Sequence, residues 1–308
     1  MDAIIEVDGL VKQYGPLRAV DGISFRVPRG QVFSFLGPNG AGKTTTVEIL
    51  EGLRRATSGR VHVLGLDPWR HADELHRKVG VMPQGFRFFD KVTPREAVRY
   101  YARLFGANVD PQEVLRRVLL EEKADDTYDK LSGGQKQKLG VALAMVNDPE
   151  LLFLDEPTTG LDPQARRAVW ELLRELQKEG RTIFLTTHYL EEAEQLADRV
   201  AILHHGTIVT EGSPTELIER HGQGPRLVLK AGPKLIALLE REVGAGLKVQ
   251  DGTVIVPIQQ KGVLLRALEA VDRSGLPWPE INTERDTLEN VFISMVGELD
   301  EAGEVRRE

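Results

Sequence analysis

Cysteine is absent from the 308 residues, which excludes disulfides, cysteine-ligated zinc and thiol catalysis. No apolar run approaches the roughly 18–20 residues that a membrane-spanning helix requires. The longest candidates, such as LLFL at 151–154, are strand-sized. The first twenty residues, MDAIIEVDGLVKQYGPLRAV, lack the basic start and apolar stretch of a secretory signal. The expectation is a soluble chain in a reducing compartment, able to reach a membrane only through a partner. Basic charge is in short supply as well. Lys and Arg number 40 against 47 Asp and Glu, so the net charge of −7 gives no footprint for nucleic acid, and no nucleic-acid partner is expected. Internal repeats and low-complexity tracts are also missing. What remains is ordinary globular material, 41% hydrophobic and 28% charged, in a chain long enough for one large domain and a small one.

Strand-sized runs alternate with helical ones over most of the chain. Residues 3–7 and 23–27 read as strands, punctuated by Asp8-Gly9 and Pro28-Arg29-Gly30. QVFSFLG (31–37) is a short buried strand feeding the loop at 37–45, and TTTVEILEGL is the helix after it. ELLFLD (150–155) and TIFLTTH (182–188) suit the interior of a covered parallel sheet. Between them PQARRAVWELLRELQKEG is a helix opened by Asp162-Pro163 and stopped by Gly180. This alternation predicts an α/β fold. At about 90–148 the pattern changes. Thr93-Pro94-Arg95-Glu96 and Asp110-Pro111-Gln112-Glu113 each read as a capping box, and no strand separates the two helices they open. That predicts a helical insert. The first domain is expected over 1–222 and a small α+β domain over 223–308, where RLVLK and TVIVPI read as strands and Pro257 demotes the second to an edge or a bulge. Its last helix is expected to be capped by Asp286-Thr287-Leu288-Glu289. Leu288, Val291, Phe292, Met295, Val296 and Leu299 form one core-packing stripe on it, and the tail EAGEVRRE is expected to fray.

Two clusters carry chemistry. Gly37-Pro38-Asn39-Gly40-Ala41-Gly42-Lys43-Thr44 fits the phosphate-loop pattern after a strand and before a helix, with Thr45 following. Its glycines let successive N–H groups face phosphate oxygens, Lys43 supplies a point charge, and the Thr44 hydroxyl can ligate Mg²⁺. Nucleoside triphosphate binding follows. Asp155 and Glu156 end a buried strand and cannot both point the same way while it stays extended. This suits Asp155 as a Mg²⁺ ligand and Glu156 as the group polarising the attacking water. Gln84, ending VGVMPQ, could reach Mg²⁺ or water, but by itself reads as a surface loop residue. His188 ends TIFLTTH and, alone, reads as a structural histidine. Tyr14 could stack on a flat base or sit half-buried at a strand end. LSGGQ (131–135) opens a second helix with a glycine pair suited to an anion, although one phosphate loop already exists.

Taken in chain order, these elements resemble the ATP-binding subunits of ABC transporters over about residues 4–220. Tyr14 stands as the aromatic loop, 37–45 as Walker A, Gln84 as Q-loop, and LSGGQ as the signature. LLFLDE (151–156) is Walker B, GLD (160–162) the D-loop with Asp162, and His188 the switch histidine. The resemblance implies a P-loop ATPase whose two copies, or one copy and a related subunit, sandwich ATP and Mg²⁺ head to tail. Ser132, Gly133, Gly134 and Gln135 would then grip the nucleotide at the partner's 37–45 loop. One chain with one loop and one signature makes no complete site. On this reading Gly134→Asp binds ATP yet neither dimerises around it nor hydrolyses it. Gly160 stands where many members have serine, and Lys138 where arginine is frequent; neither departure removes a catalytic group.

TLENVFISMVGEL, YYARLFG (100–106) and EPTTGLDP (156–163) further resemble subunits of multidrug, antibiotic and polysaccharide or lipid exporters. This implies a peripheral location on the cytoplasmic membrane face, beside a polytopic permease. For the small C-terminal domain it implies dimer stabilisation or regulation. A soluble ABC ATPase acting on ribosomes or DNA is the alternative, but such members carry two cassettes or a long coiled-coil insert, and this chain has neither. A small-molecule P-loop kinase would leave LSGGQ and His188 without roles.

Overall fold

The computed structural model describes residues 2–244, 246–250, 252–258 and 261–297, which fall into two compact units. One runs to Pro214 and includes residues 295–297; the other is Thr215–Ser294. This division lies upstream of the 222/223 boundary read from the sequence. Among the described residues no helix is long and apolar enough to cross a membrane.

The first unit opens with β1 (Ala3–Tyr14), β2 (Leu17–Pro28), β3 (Val32–Leu36), α1 (Lys43–Leu50), β4 (Ser58–Val63), α2 (Ala72–His76) and β5 (Val79–Met82). Helices α3 (Pro94–Phe105), α4 (Pro111–Arg117) and α5 (Gly133–Ala144) follow with no strand between them. Then come β6 (Leu151–Asp155), α6 (Pro163–Lys178), β7 (Thr182–Thr187), α7 (Leu190–Leu196) and the hairpin of β8 (Arg199–His204) and β9 (Thr207–Gly212). Six strands form the central sheet in the order β5-β6-β7-β3-β8-β9, parallel except for β9. Every residue of β3, β6 and β7 is buried, which is why these strands read as unbroken apolar runs.

A second, antiparallel sheet, ordered β2-β1-β4, packs against the first. The core sits between them. Phe25 of β2 meets Phe33, Phe35 and Phe184 at centroid distances of 5.6, 4.9 and 6.2 Å. Phe33 and Phe35 share a face by strand alternation, and register places Phe184 opposite Phe33. Each such burial stabilises the fold by about 1.5–3 kcal/mol. The alternate residues Leu152, Leu154, Ile183 and Leu185 are equally buried on the other side, where α5, α6 and α7 pack.

The ribbon corrects the two short strands expected at 3–7 and 23–27. β1 continues through Asp8-Gly9 because Gly9, at φ 57°, makes a bulge rather than a turn, and its N–H is taken by Ser24 Oγ at 2.8 Å. In the helical segment, Thr93 and Glu96 form the full capping box. Asp110 caps α4 through Gln112 N–H alone, while Glu113 turns to Arg116.

The second unit carries α8 (Pro214–His221), β10 (Arg226–Lys230), α9 (Pro233–Val243), β11 (Lys248–Gln250), β12 (Thr253–Pro257), α10 (Lys261–Arg273), β13 (Ile281–Glu284) and α11 (Leu288–Val296). Its antiparallel sheet is ordered β11-β12-β10-β13, the split βαβ arrangement of ferredoxin-like folds. Leu227, Leu229, Val254 and Val256 form its core with Leu235 and Leu239 of α9 and Ala267, Ala270 and Val271 of α10. β12 lies inside the sheet rather than at its edge. Pro257 is tolerated because β11 reaches only as far as Ile255, so the proline nitrogen faces no partner there. Thr287 and Asn290, not Asp286, cap α11. Asp286 turns back to Gly224 N–H at 2.7 Å and Arg226 at 3.0 Å. Leu288, Val291, Phe292 and Val296 are buried as the stripe requires. Leu299 and the tail EAGEVRRE lie outside the described residues.

Candidate active site

The loop between β3 and α1 is shaped by what its glycines avoid. Gly42 lies at φ 102°, and a Cβ there would come within 2.4 Å of the Ala19 carbonyl oxygen. A Cβ on Gly37 would meet the Leu203 carbonyl oxygen at 2.4 Å. The loop is therefore pressed between β2 and β8, and Gly206 N–H bonds Ala41 O at 3.1 Å behind it. In front lies a cavity of about 300 Å³ lined by Tyr14, Leu17, Ala19, Pro38, Asn39, Gly40, Ala41, Gly42, Lys43, Thr44, Thr45, Gln84 and Glu156. Lys43 is buried and donates to the carbonyls of Gly37 at 2.6 Å and Pro38 at 3.1 Å. Burial pushes its pKa down, against the opposing charges of Glu156 and Asp155. Tyr14 is partly exposed at the cavity's edge, with the Lys12 ammonium 4.9 Å and the Arg54 guanidinium 5.4 Å from its ring.

Asp155 ends β6, paired in register with Thr186 of β7, whose hydroxyl donates to its carboxylate. Burial, with the charge of Glu156, pushes the Asp155 carboxyl up, against the Thr186 and Thr44 hydroxyls and the charge of Lys43. Glu156 leaves the strand at φ 50°, a left-handed conformation costly for a side chain with a Cβ. This turn, rather than strand alternation, separates the two carboxylates. Glu156 N–H is held by the Thr186 carbonyl and hydroxyl, both at 3.1 Å. Its Oε2 accepts from Gln84 Nε2 and Thr159 Oγ1, both at 3.0 Å, and His188 Nδ1 stands 3.3 Å from Oε1. Burial alone would raise the Glu156 pKa, but His188, Thr159 and Lys43 together hold it below the ordinary value. Glu156 is thus held as a carboxylate, able to accept a proton at neutral pH.

Gln84 and Glu156 therefore line the cavity with the loop, Asp155 adjoins Glu156, and His188 joins the group through its 3.3 Å contact with Glu156. The other expected nucleotide contacts do not line this cavity. Ser132 and Gln135 close a capping box on α5, and Asp162 caps α6 through Ala165 N–H at 2.9 Å. The two helix starts abut: a Cβ on Gly134 would lie 3.0 Å from Ala165 Cβ, and one on Gly133 would lie 3.2 Å from Leu161 Cδ2. Gly134 thus serves packing within the chain as well as any ligand, which confounds Gly134→Asp as a test and leaves Gly133 the cleaner position. Thr186 and Thr159 escaped the sequence reading. Two threonines closing an otherwise apolar strand are the signal that could have marked Thr186.

A family model described as ABC transporter matches residues 20–159. The Nod factor export ATP-binding protein I of Ralstonia nicotianae (strain ATCC BAA-1114 / GMI1000) is 43% identical, covering 96% of this chain and 94% of the relative. The chain belongs to the ABC transporter ATP-binding proteins. It is thus an ATPase that binds ATP. The daunorubicin resistance ATP-binding protein DrrA3 of Streptomyces coeruleorubidus is 36% identical, covering 96% of this chain and 97% of the relative. A solved dimeric bacterial ABC transporter cassette superposes with a TM-score of 0.60 at 25% identity, over 68% of this chain and 98% of that one.

One buried acid of this ABC cassette lies behind the loop. Burial, with repulsion from Asp155 and Glu48, pushes Glu51 up to about 8 from an ordinary 4.5. Between those values the folded chain keeps a proton that the unfolded chain releases, so stability falls as pH rises from about 5 to 8. Glu51→Gln is expected to flatten that fall, by on the order of a few kcal/mol at the upper end. Thermal melts across the range, in nucleotide- and metal-free buffer, check this; identical slopes would refute it.

Proposed function

We propose that this chain is the ATP-hydrolysing subunit of an exporter. Two copies, or one copy and a related ATPase subunit, close head to tail around ATP and drive a separate polytopic permease at the cytoplasmic membrane face. One observation carries the reading: the loop, Gln84 and Glu156 line one cavity, with His188 3.3 Å from Glu156, while 131–135 and Asp162 form a second surface outside it. A half-site of each kind on one chain calls for a second chain. A similar ABC transporter cassette is described as dimeric, which supports a pair of chains. Export is favoured by relatives named for drug resistance and for Nod factor export.

In this mechanism the Gly37–Thr45 backbone and Lys43 hold the β- and γ-phosphates, and Tyr14 faces the base. Glu156 takes a proton from the attacking water as the new oxygen–γ-phosphorus bond forms. The bond to the β-phosphate oxygen breaks, leaving ADP and phosphate. His188 and Gln84 keep the Glu156 carboxylate aimed. Ser132, Gly133 and Gly134 present the α5 helix start to the γ-phosphate on the partner's loop, with Gln135 and Asp162 bracing that surface.

The donor set fits Mg²⁺. Thr44 and Asp155 are hard oxygen donors, and Gln84 adds an amide oxygen. Among the described residues no cluster of three His, Cys, Asp or Glu side chains forms a closed metal cage. That suits an ion held by one carboxylate, phosphates and water. Bound there, Mg²⁺ would neutralise phosphate charge.

Co-expression with candidate polytopic subunits tests the function. The expected result is a detergent-stable complex in which the permease raises ATP turnover. Co-sedimentation with ribosomes or DNA instead would favour the soluble alternative and overturn the exporter reading.

A further inference from the structure

Glu192 sits on α7, fully buried, and no step above uses it. Its Oε1 accepts from Thr158 Oγ1 at 2.7 Å and from Trp170 Nε1 of α6 at 3.0 Å. On the His188 side, Glu192 N–H bonds the Tyr189 carbonyl at 3.1 Å and Tyr189 N–H bonds the Thr187 hydroxyl at 2.9 Å, while Glu192 Oε2 has no hydrogen-bond partner. Burial pushes this carboxyl's pKa up, against those hydrogen bonds and the charge of Arg166. For packing alone an apolar side chain would be cheaper to bury.

Its partners explain its presence. Thr158 follows Glu156 by two residues, on the turn that Glu156 enters in a left-handed conformation. Thr187 directly precedes His188. The two turns thus meet twice: at the 3.3 Å contact of His188 with Glu156, and behind it at Glu192. A strained backbone persists only where its surroundings over-determine it.

We propose that Glu192 is a positioning residue that ties the turn after Glu156 to the turn that carries His188 and so keeps the two side chains in register. The proposal rests on the reading of Glu156 as the base. Glu192 touches neither the loop nor the cavity, so it acts on the chemical step and not on ATP binding.

Steady-state hydrolysis by the full-length chain tests this. Glu192→Ala is expected to lower kcat between roughly ten- and a hundredfold, because sub-ångström misplacement of a base is that costly. KM for ATP should stay within about twofold. Glu192→Gln keeps a carbonyl oxygen facing Thr158 and Trp170 and should recover most of the rate. Thr158→Val deletes the same bond from the other side, so the Thr158→Val, Glu192→Ala pair should lose no more than the worse single variant. A Glu192→Ala kcat within about twofold of wild type, a parallel rise in KM, or a Glu192→Gln protein no faster than the alanine variant would each overturn the proposal. If Glu192→Ala does not fold, Thr158→Val decides by the same kcat criterion. Glu156→Gln, run alongside, separates the two readings. If it hydrolyses at the wild-type rate, the site assignment fails; if it is inactive while Glu192→Ala is normal, only the Glu192 inference fails.

Discussion

Glu156→Gln is expected to lower ATP turnover by about 10²–10⁴-fold, the range a positioned general base supplies. The substitution is nearly isosteric, so the Gln84 and Thr159 contacts lose little room, but the amide cannot take a proton from water. ATP binding should survive, because Lys43 and the loop backbone are untouched. The variant should therefore accumulate in an ATP-bound, closed state. A radiolabelled-ATP retention assay beside phosphate release reads both quantities. Turnover at the wild-type rate would remove Glu156 from the mechanism.

The second large effect tests the shared site. Lys43→Ala removes a charged donor and should weaken ATP binding roughly ten- to hundredfold, by the worth of hydrogen bonds to charged groups. Gly133→Asp places a carboxylate at the first position of α5. The helix dipole favours it there by about 0.3–1 kcal/mol, so folding is retained. The same carboxylate repels a phosphate approaching that helix start. The flexible end of Leu161, 3.2 Å from where that Cβ would lie, can move aside, whereas Ala165 Cβ, 3.0 Å from a Cβ at Gly134, is fixed to its backbone and cannot. Each variant alone should hydrolyse ATP near background. Mixed one to one and allowed to exchange, half the dimers are mixed, and each of those holds one intact loop facing one intact signature. About a quarter of wild-type sites, and so of the rate, should return. No recovery above the sum of the two variants would refute the head-to-tail arrangement.

The fold and the site were legible to different depths. Residues 37–45 could be read in full, because a phosphate loop is a local device whose spacing along the chain is its geometry. The caps at Thr93 and Asp162 were legible for the same reason, since a cap reaches only two or three residues. Thr186 and Thr159 were not: Asp155 meets Thr186 only because β6 and β7 pair in one register. The long β1–β2 ribbon was obscured by Gly9, which can mark either a turn or a bulge, and a partner strand decides between them. Pro257 misled in the same way, since whether a proline lies at an edge depends on where the neighbouring strand stops.

By itself the sequence determined the chemistry on offer: a phosphate loop, two adjacent carboxylates, an amide, a histidine and a second helix start suited to anions. Such motifs are short-range, set by residue type and spacing. Tertiary structure alone decided which of them share a cavity, because strand register and the left-handed turn at Glu156 fix distances between residues far apart in the chain. It also placed the LSGGQ run outside that cavity, packed by Gly134 against α6, because the two helix starts abut there.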